Sequence, residues 1–362
     1  LERGGFFDSA DLAQAHRDLS DSAYFGDIEI LADVENAANG EIPIRISLRP
    51  GTRIEYTVGI GASSDTGVRF RAGFRNNRLN THGHRFITDL SVSPVIQGLT
   101  AEYRIPLSDP RREWFSVTGA LSNEETDTFD NEAQRLGLRW TKAMSDTWLR
   151  TLSLDASNES FTVGQDVDTS RFIVPGITFD QKKSDRDVFP TFGRRLGIEI
   201  RGTDKAIGST TSYLQSTAWA RWIRSFGTGN RILARLNAGI TSSSDFDKLP
   251  PSVRFFAGGD QSVRGYDYDS LGPQDSDGNV IGGSRLLVAS LEYERHLWGN
   301  FFGAVFVDAG NAFDDTDFDP EVGAGVGLKW RSPVGPVRFY LGYPITADDQ
   351  SIRIHLGLGA DL

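Results

Sequence analysis

From Ile54 to the end of the chain, apolar and polar residues alternate with a period of two. Ile54, Tyr56, Val58, Ile60 and Ala62 point to one side of an extended strand, and Glu55, Thr57, Gly59 and Gly61 to the other. The same alternation runs through Val68 to Phe74, Leu196 to Ile200, Val322 to Trp330 and Ile352 to Leu362. A period of two leaves strands as the only regular structure that puts each apolar set on one face.

The polar side separates two kinds of all-β protein. In a soluble sandwich or propeller the apolar side fills a core and the polar side meets bulk water. Here the polar side is built of Arg, Glu and Gly, which suits a wet lumen, and many runs reach the roughly ten residues that a tilted membrane strand needs. Sixteen such strands fit between Ile54 and Leu362, with short turns and one long break at about 244–284. The expected fold is all-β: a sixteen-stranded antiparallel transmembrane β-barrel over 51–362. Trp114, Trp140, Trp148, Trp222, Trp298 and Trp330 stand near strand ends, where interfacial girdles form.

Composition agrees. Gly reaches 39 residues and aromatics 11 %, a profile for strands and tight turns rather than long helices. No run approaches the roughly 18 apolar residues of a membrane-spanning helix. The net charge of −11 excludes a nucleic-acid binder, since the arginines are dispersed along strands. With no Cys, thiol catalysis, disulfides and thiolate metal sites are excluded, and an oxidising compartment is permitted.

Residues 1–50 read differently. Leu12, Ala15 and Leu19 recur at helical spacing behind a cap at Asp8 or Ser9, and two strand-like runs follow, Tyr24 to Val34 and Ile42 to Leu48. A helix and a hairpin bury too little surface to stand alone. This segment is expected to be the later part of a small α+β module. The chain opens Leu1-Glu2-Arg3 without a signal peptide, so a mature or trimmed form is expected.

Within the long break, Arg254-Phe255-Phe256-Ala257-Gly258-Gly259-Asp260 leads into Val263-Arg264-Gly265-Tyr266. Two Phe, paired Gly and an Arg-Gly-Tyr turn suit a loop that folds back and packs. Inside a lumen Arg264 requires a partner. Strand parity turns Glu292 and Asp308 inward on adjacent strands, so Arg264, Glu292 and Asp308 form a candidate ion cluster matched to the fork of a guanidinium. Loss of one partner would cost about 3 to 5 kcal/mol if the cluster is shielded and about 0 to 1 if water reaches it.

These motifs resemble the BamA/TamA/FhaC superfamily of outer-membrane assembly and secretion barrels. The resemblance is carried by Val263-Arg264-Gly265-Tyr266, Ser290-Leu291-Glu292-Tyr293, Gly303 to Gly310, and Asp187 with Phe189-Pro190-Thr191-Phe192-Gly193. Phe246-Asp247-Lys248-Leu249-Pro250-Pro251, the Phe255 to Asp260 run and Ser332-Pro333-Val334-Gly335-Pro336 resemble its TamA (translocation and assembly module) branch. The resemblance implies a partial POTRA module over 1–50, including Ser22-Ala23-Tyr24-Phe25, with further modules ahead of it. Barrels often end in Phe or Trp; this chain ends in Leu362, as TamA-like proteins do.

The expected function is an assembly or insertion factor in the bacterial outer membrane, with the N-terminal part in the periplasm. Closing the cylinder requires the strand at Ile54 to Ala62 to meet the one at Ser351 to Asp361. Gly59 and Gly61 on one, Gly357 and Gly359 on the other, deprive this join of cross-strand side chains and make it a lateral seam. An opened seam offers a client a template for β-augmentation. By resemblance the clients are autotransporters and other barrels, the partner is a TamB-like inner-membrane protein, and lipid and lipopolysaccharide surround a monomeric barrel without a cofactor. A two-partner secretion pore and a passive porin are the competing readings.

Other constellations carry little. His82 and His84 flank a turn glycine without a third ligand, so no metal site is expected. Asp314, Asp315, Asp317 and Asp319 lack calcium-loop spacing. No nucleophile, base and acid converge on one face, and no enzymatic function is expected.

Overall fold

A computed structural model describes residues 4–22, 24–186, 189–333, 335–347 and 350–358. Helix α1 (Ser9–Asp21) starts at Asp8, whose carboxylate accepts from the Ala10 N–H at 2.8 Å. A two-stranded sheet follows, β1 (Phe25–Ala32) against β2 (Ile44–Pro50).

The remaining strands form one sixteen-stranded antiparallel sheet in sequence order. They are β3 (Ile54–Ser63), β4 (Gly67–Asn76), β5 (Arg85–Val92), β6 (Ile96–Pro106), β7 (Glu113–Glu125), β8 (Phe129–Ala143), β9 (Trp148–Val163) and β10 (Asp166–Ser184). Next come β11 (Phe192–Thr203), β12 (Tyr213–Phe226), β13 (Asn230–Ser243), β14 (Arg285–Trp298), β15 (Phe301–Phe313), β16 (Glu321–Ser332), β17 (Gly335–Pro344) and β18 (Arg353–Leu358). Every neighbour is sequence-adjacent, so each connection is a hairpin. The period of two keeps one face apolar and outward: Tyr56, Val58 and Ile60 of β3 are about three-quarters exposed, a display that only a hydrocarbon surround tolerates.

The helix and small sheet sit at the end of the barrel where β3 begins. Tyr24 Oη donates to the Gly83 carbonyl at 2.8 Å, Arg85 donates to the Ser22 carbonyl, and Arg111 pairs with Asp18. Gly83 and Arg111 lie in turns of the barrel, so the two parts are docked. The six tryptophans named from sequence lie at strand ends on this same side. Trp114 departs from the girdle expectation, because it shares lumenal parity with Ser116 and Thr118 and lies under the Arg104 guanidinium, 4.8 Å from it.

Two further expectations need correction. The edge strands β3 and β18 approach within 8 Å, but among the described residues no ladder joins them, and the sheet is left nearly closed rather than closed. Residues 359–362, with Gly359, Ala360, Asp361 and Leu362, lie outside the described residues, as do Ala23, Asp187 and Val334.

The lumen, expected to be a wet bore with the loop at about 244–284 folded into it, is packed by that loop at the far end from α1. Phe172, Val174 and Tyr213 of the wall bury Leu249 and Val253, and Phe129, Phe161 and Val163 bury Phe256 and Ile281. A polar cavity of about 380 Å³ remains below, lined by charges including Glu102, Arg135, Arg139 and Glu199. Parity alone cannot distinguish a lumenal residue facing water from one facing an inserted loop.

Candidate functional site

The segment between β13 and β14 turns inward and knits its own backbone. Arg254 donates to three carbonyls, those of Leu249, Ile281 and Asp247, at 2.8, 2.9 and 2.7 Å. Phe255 pairs with Gly283 and Ala257 with Leu271 as isolated bridges. Phe256 packs against Phe129 with ring centroids 4.9 Å apart and planes tilted by 39°. The base of the loop is thus held before its tip is placed.

At the tip Val263 is fully buried against Ala257, Tyr266 and Val288. Gly265 has φ +103°, and a Cβ there would press on the backbone of Tyr343 and Pro344, so the turn requires glycine. Tyr266 Oη donates to Glu321 Oε2 at 2.7 Å and lies 2.8 Å from Thr346 Oγ1.

Arg264 reaches both carboxylates singled out from sequence. Its Nε and Nη2 donate to Asp308 Oδ2 and Oδ1 at 2.7 and 2.9 Å, and Nη1 donates to Glu292 Oε2 at 2.6 Å. Its own backbone N–H adds a bond to Asp308 Oδ2 at 3.0 Å. Asp308 has no exposed side-chain surface and Arg264 only 6 %, so the pair is shielded from solvent screening.

Sequence reasoning missed the surroundings of this fork. The guanidinium carbon lies 3.5 Å from the Phe306 ring centroid and 4.7 Å from that of Tyr340, and the two rings meet edge to face at 86°, so the cation sits in an aromatic corner. Tyr340 Oη also donates to Glu292 Oε1 at 2.8 Å. Two residues along β14, on the same face, Glu294 accepts from Arg231 at 2.7 Å and pairs with Lys329. The parity that exposed Glu292 carries the signal for Glu294 as well; its cations, Arg231 directly opposite on β13 and Lys329 two strands away on β16, could not be assigned without register.

Glycines on β16 and β17 make room for this packing. A Cβ at Gly327 would strike the Tyr340 ring, one at Gly325 the Phe306 ring, and one at Gly342 the Gly265 backbone. At the seam the glycines are of another kind: a Cβ at Gly61 would meet nothing within 4 Å, and at Gly59 only Arg71 Cβ at 3.9 Å. Gly357 faces the Arg338 guanidinium, Ile54 is outward and exposed, and Gly359 lies outside the described residues.

The remaining motifs have plain partners. His84 Nδ1 lies 2.7 Å from Tyr103 Oη, and the His82 ring stands 6.0 Å from that of His84. Asp314 accepts from Ser284 N and Oγ at 2.8 and 2.6 Å and so anchors the end of the lumenal loop.

A family model described as the Omp85 superfamily domain matches residues 51–361. An outer membrane protein assembly factor BamA of Nitratidesulfovibrio vulgaris is 30 % identical over 174 residues, 46 % of this chain and 21 % of that protein. BamA of Neisseria meningitidis is 25 % identical over 51 % of this chain and 28 % of its own length. A SAM50-like protein of Schizosaccharomyces pombe is 23 % identical over 51 % of this chain and 43 % of its own. The match thus spans less than half the length of these relatives.

Among solved structures, BamA from Haemophilus ducreyi lacking POTRA domains 1-3 superposes with a TM-score of 0.83 at 17 % identity, covering 99 % of this chain and 80 % of that one. CdiB from Acinetobacter baumannii superposes at 0.64 with 15 % identity, over 99 % and 68 %. At these identities the likeness speaks for the fold.

Proposed function

The chain belongs to the Omp85 superfamily, whose barrels reside in the outer membrane, and from that premise we propose that it inserts β-barrel clients, autotransporters among them, through the join between β3 and β18. The observation that carries this reading is the contrast along the sheet. Fifteen neighbouring pairs form ladders, while among the described residues β3 and β18 lie side by side without one. The N–H and C=O groups that these described edges leave outside a ladder are the template a client strand needs, and in hydrocarbon such groups stay open only briefly. The work is strand exchange, with no covalent step.

In this reading residues 1–50 are the end of a POTRA module in the periplasm and 51–362 the membrane barrel. The docking of Tyr24 on Gly83 and Asp18 on Arg111 supports a module that reports to the β3 side of the wall. Val263, Arg264, Gly265 and Tyr266 pin the plug, with Glu292 and Asp308 as the fixed posts. The run from Phe246 to Pro251 favours the TamA branch, and with it a TamB-like partner.

The chain has no Cys, so a disulfide between one cysteine in β3 and one in β18 can be placed without background. In proteoliposomes, oxidation is expected to stop insertion of an unfolded barrel client and reductant to restore it. Insertion at the wild-type rate with the join locked would end the proposal. A secretion pore, the alternative suggested by the CdiB-like fold, would have to withdraw a loop held by two apolar clusters. It predicts passage of an exoprotein that is indifferent to the lock.

A further inference from the structure

Among the described residues, the two edges of the barrel share a loop residue instead of a ladder. Asp260 lies four residues before Arg264, and its carboxylate accepts from Ser63 Oγ at 2.7 Å and Ser64 Oγ at 3.1 Å, at the end of β3. The same carboxylate lies 2.6 Å from Nδ1 of His355, in β18. Its backbone N–H donates to Asp65 Oδ2 at 2.7 Å. One loop residue therefore holds the first strand and the last.

His355 fixes the direction of these bonds. The Gly265 N–H donates to its Nε2 at 2.9 Å, so that nitrogen must offer its lone pair. In a neutral ring the proton is then on Nδ1 and is given to Asp260. Asp65, Asp260 and His355 are close enough to hold a metal ion. The tautomer argues otherwise: a cation at Nδ1 would require the proton on Nε2, where it would meet the Gly265 N–H head-on. The ring is nearly buried, with 4 % of its side chain exposed, so water does not relieve that conflict. Arg353 of β18 pairs with Asp267 and adds a second tie between the loop and the same strand.

We propose that Asp260 is a clasp through which the inserted loop holds β3 and β18 together, so that the loop's seating and the opening of the join are one equilibrium. The inference rests on the reading of that join as the gate. It adds what holds the described edges together at rest: a loop carboxylate shared by a serine pair and a neutral histidine, without a metal. Pulling the loop toward the outside breaks the clasp, and parting the strands leaves Asp260 with unmatched partners, so each motion favours the other.

The test is the distance across the join in the whole chain in lipid. Val58→Cys and Ile354→Cys place spin labels on the outward faces of β3 and β18, away from the lumen. In the wild-type background one short distance is expected, unchanged by a chelator. Asp260→Ala is expected to add a longer population, with the loop still protected from protease through Arg264. Ser63→Ala with Ser64→Ala, which leaves loop and β18 untouched, should do the same on the β3 side alone.

Unchanged distances in both variants would overturn the clasp, and a wild-type distance that lengthens with chelator would overturn the metal-free arrangement. The disulfide experiment is separate. A join that widens in these variants while a locked join still inserts clients would leave the clasp standing and remove the gate.

Discussion

A Cβ placed on Gly323 of β16 would collide with the carbonyl oxygen of Arg264. The backbone of the inserted tip rests directly on the wall, and the wall is bare there for that reason. Gly323→Ala should therefore push the tip off its seat and break the fork to Asp308. Overpacking of this kind costs about 1 to 3 kcal/mol. A lower unfolding midpoint in lipid, together with new protease cleavage between 258 and 270, is the expected result; an unaltered midpoint would mean that the tip does not bear on Gly323.

Arg264→Ala leaves Asp308 buried without its cation and, among the described residues, Glu292 with Lys329 alone, 3.7 Å away, and a loss of about 3 to 5 kcal/mol is expected. Arg264→Lys should recover only part of it, because a single ammonium cannot reproduce the paired bonds to Asp308 while also reaching Glu292 and resting over the Phe306 face. Breaking the exposed pair of Arg71 with Asp89, 3.8 Å apart, should change stability by about 0 to 1 kcal/mol. Denaturant unfolding of the three variants side by side measures the ordering.

The barrel was legible because a period of two is a local property: each strand reports its own outward face in a few residues. Glu292 and Asp308 were legible for the same reason, as inward positions on neighbouring strands. Asp260 and His355 were not, because Asp260 lies in an irregular loop and His355 has the same inward parity as every alternate residue of its strand. Only the three-dimensional path of the loop brings positions 95 residues apart to 2.6 Å. The packed upper lumen was hidden likewise: Phe172 and Val174 obey the alternation of β10, but their neighbours come from the loop. Glycine had two meanings that sequence merged, room for a neighbour at Gly323 and Gly327, and open space at Gly61.

The open space at Gly61 gives an opposite prediction at the join. A Cβ there meets nothing within 4 Å, so Gly61→Thr should be accommodated and should raise strand order in β3 by up to about 1 kcal/mol. Stability is expected to hold or rise slightly while client insertion slows. Faster insertion, or a destabilised barrel, would contradict the view that glycine there serves opening.

Arg85 ties the N-terminal module to the barrel, donating to the Ser22 carbonyl and stacking 4.8 Å from the Tyr24 ring. Arg85→Ala should expose the segment around 20–26 to protease and leave the unfolding midpoint of the barrel within about 1 kcal/mol of wild type, as expected for a partly exposed contact. Mass spectrometry of limited digests distinguishes this from a general loosening, which would also cut the 244–284 loop.

Asp269 makes loop seating depend on pH. It stands in the left-handed region at φ +51°, and burial, then the charges of Glu124 and Asp65, raise its carboxyl from the ordinary 3.8 to about 7. Asp65, in the β3–β4 turn, is raised in the same direction by burial and by Asp260. An acid whose value is higher in the folded state binds more protons folded than unfolded, so stability must fall as pH climbs between the two values. The contribution of Asp269 is whole below about 3.8 and is lost as pH rises through about 7. Protease protection of the loop should accordingly be greater at pH 5 than at pH 8. Asp269→Asn keeps the shape and the tolerance for positive φ while removing the charge, and it should flatten most of that difference by raising protection at pH 8. A variant with the wild-type pH profile would assign the dependence to Asp65 or to another group.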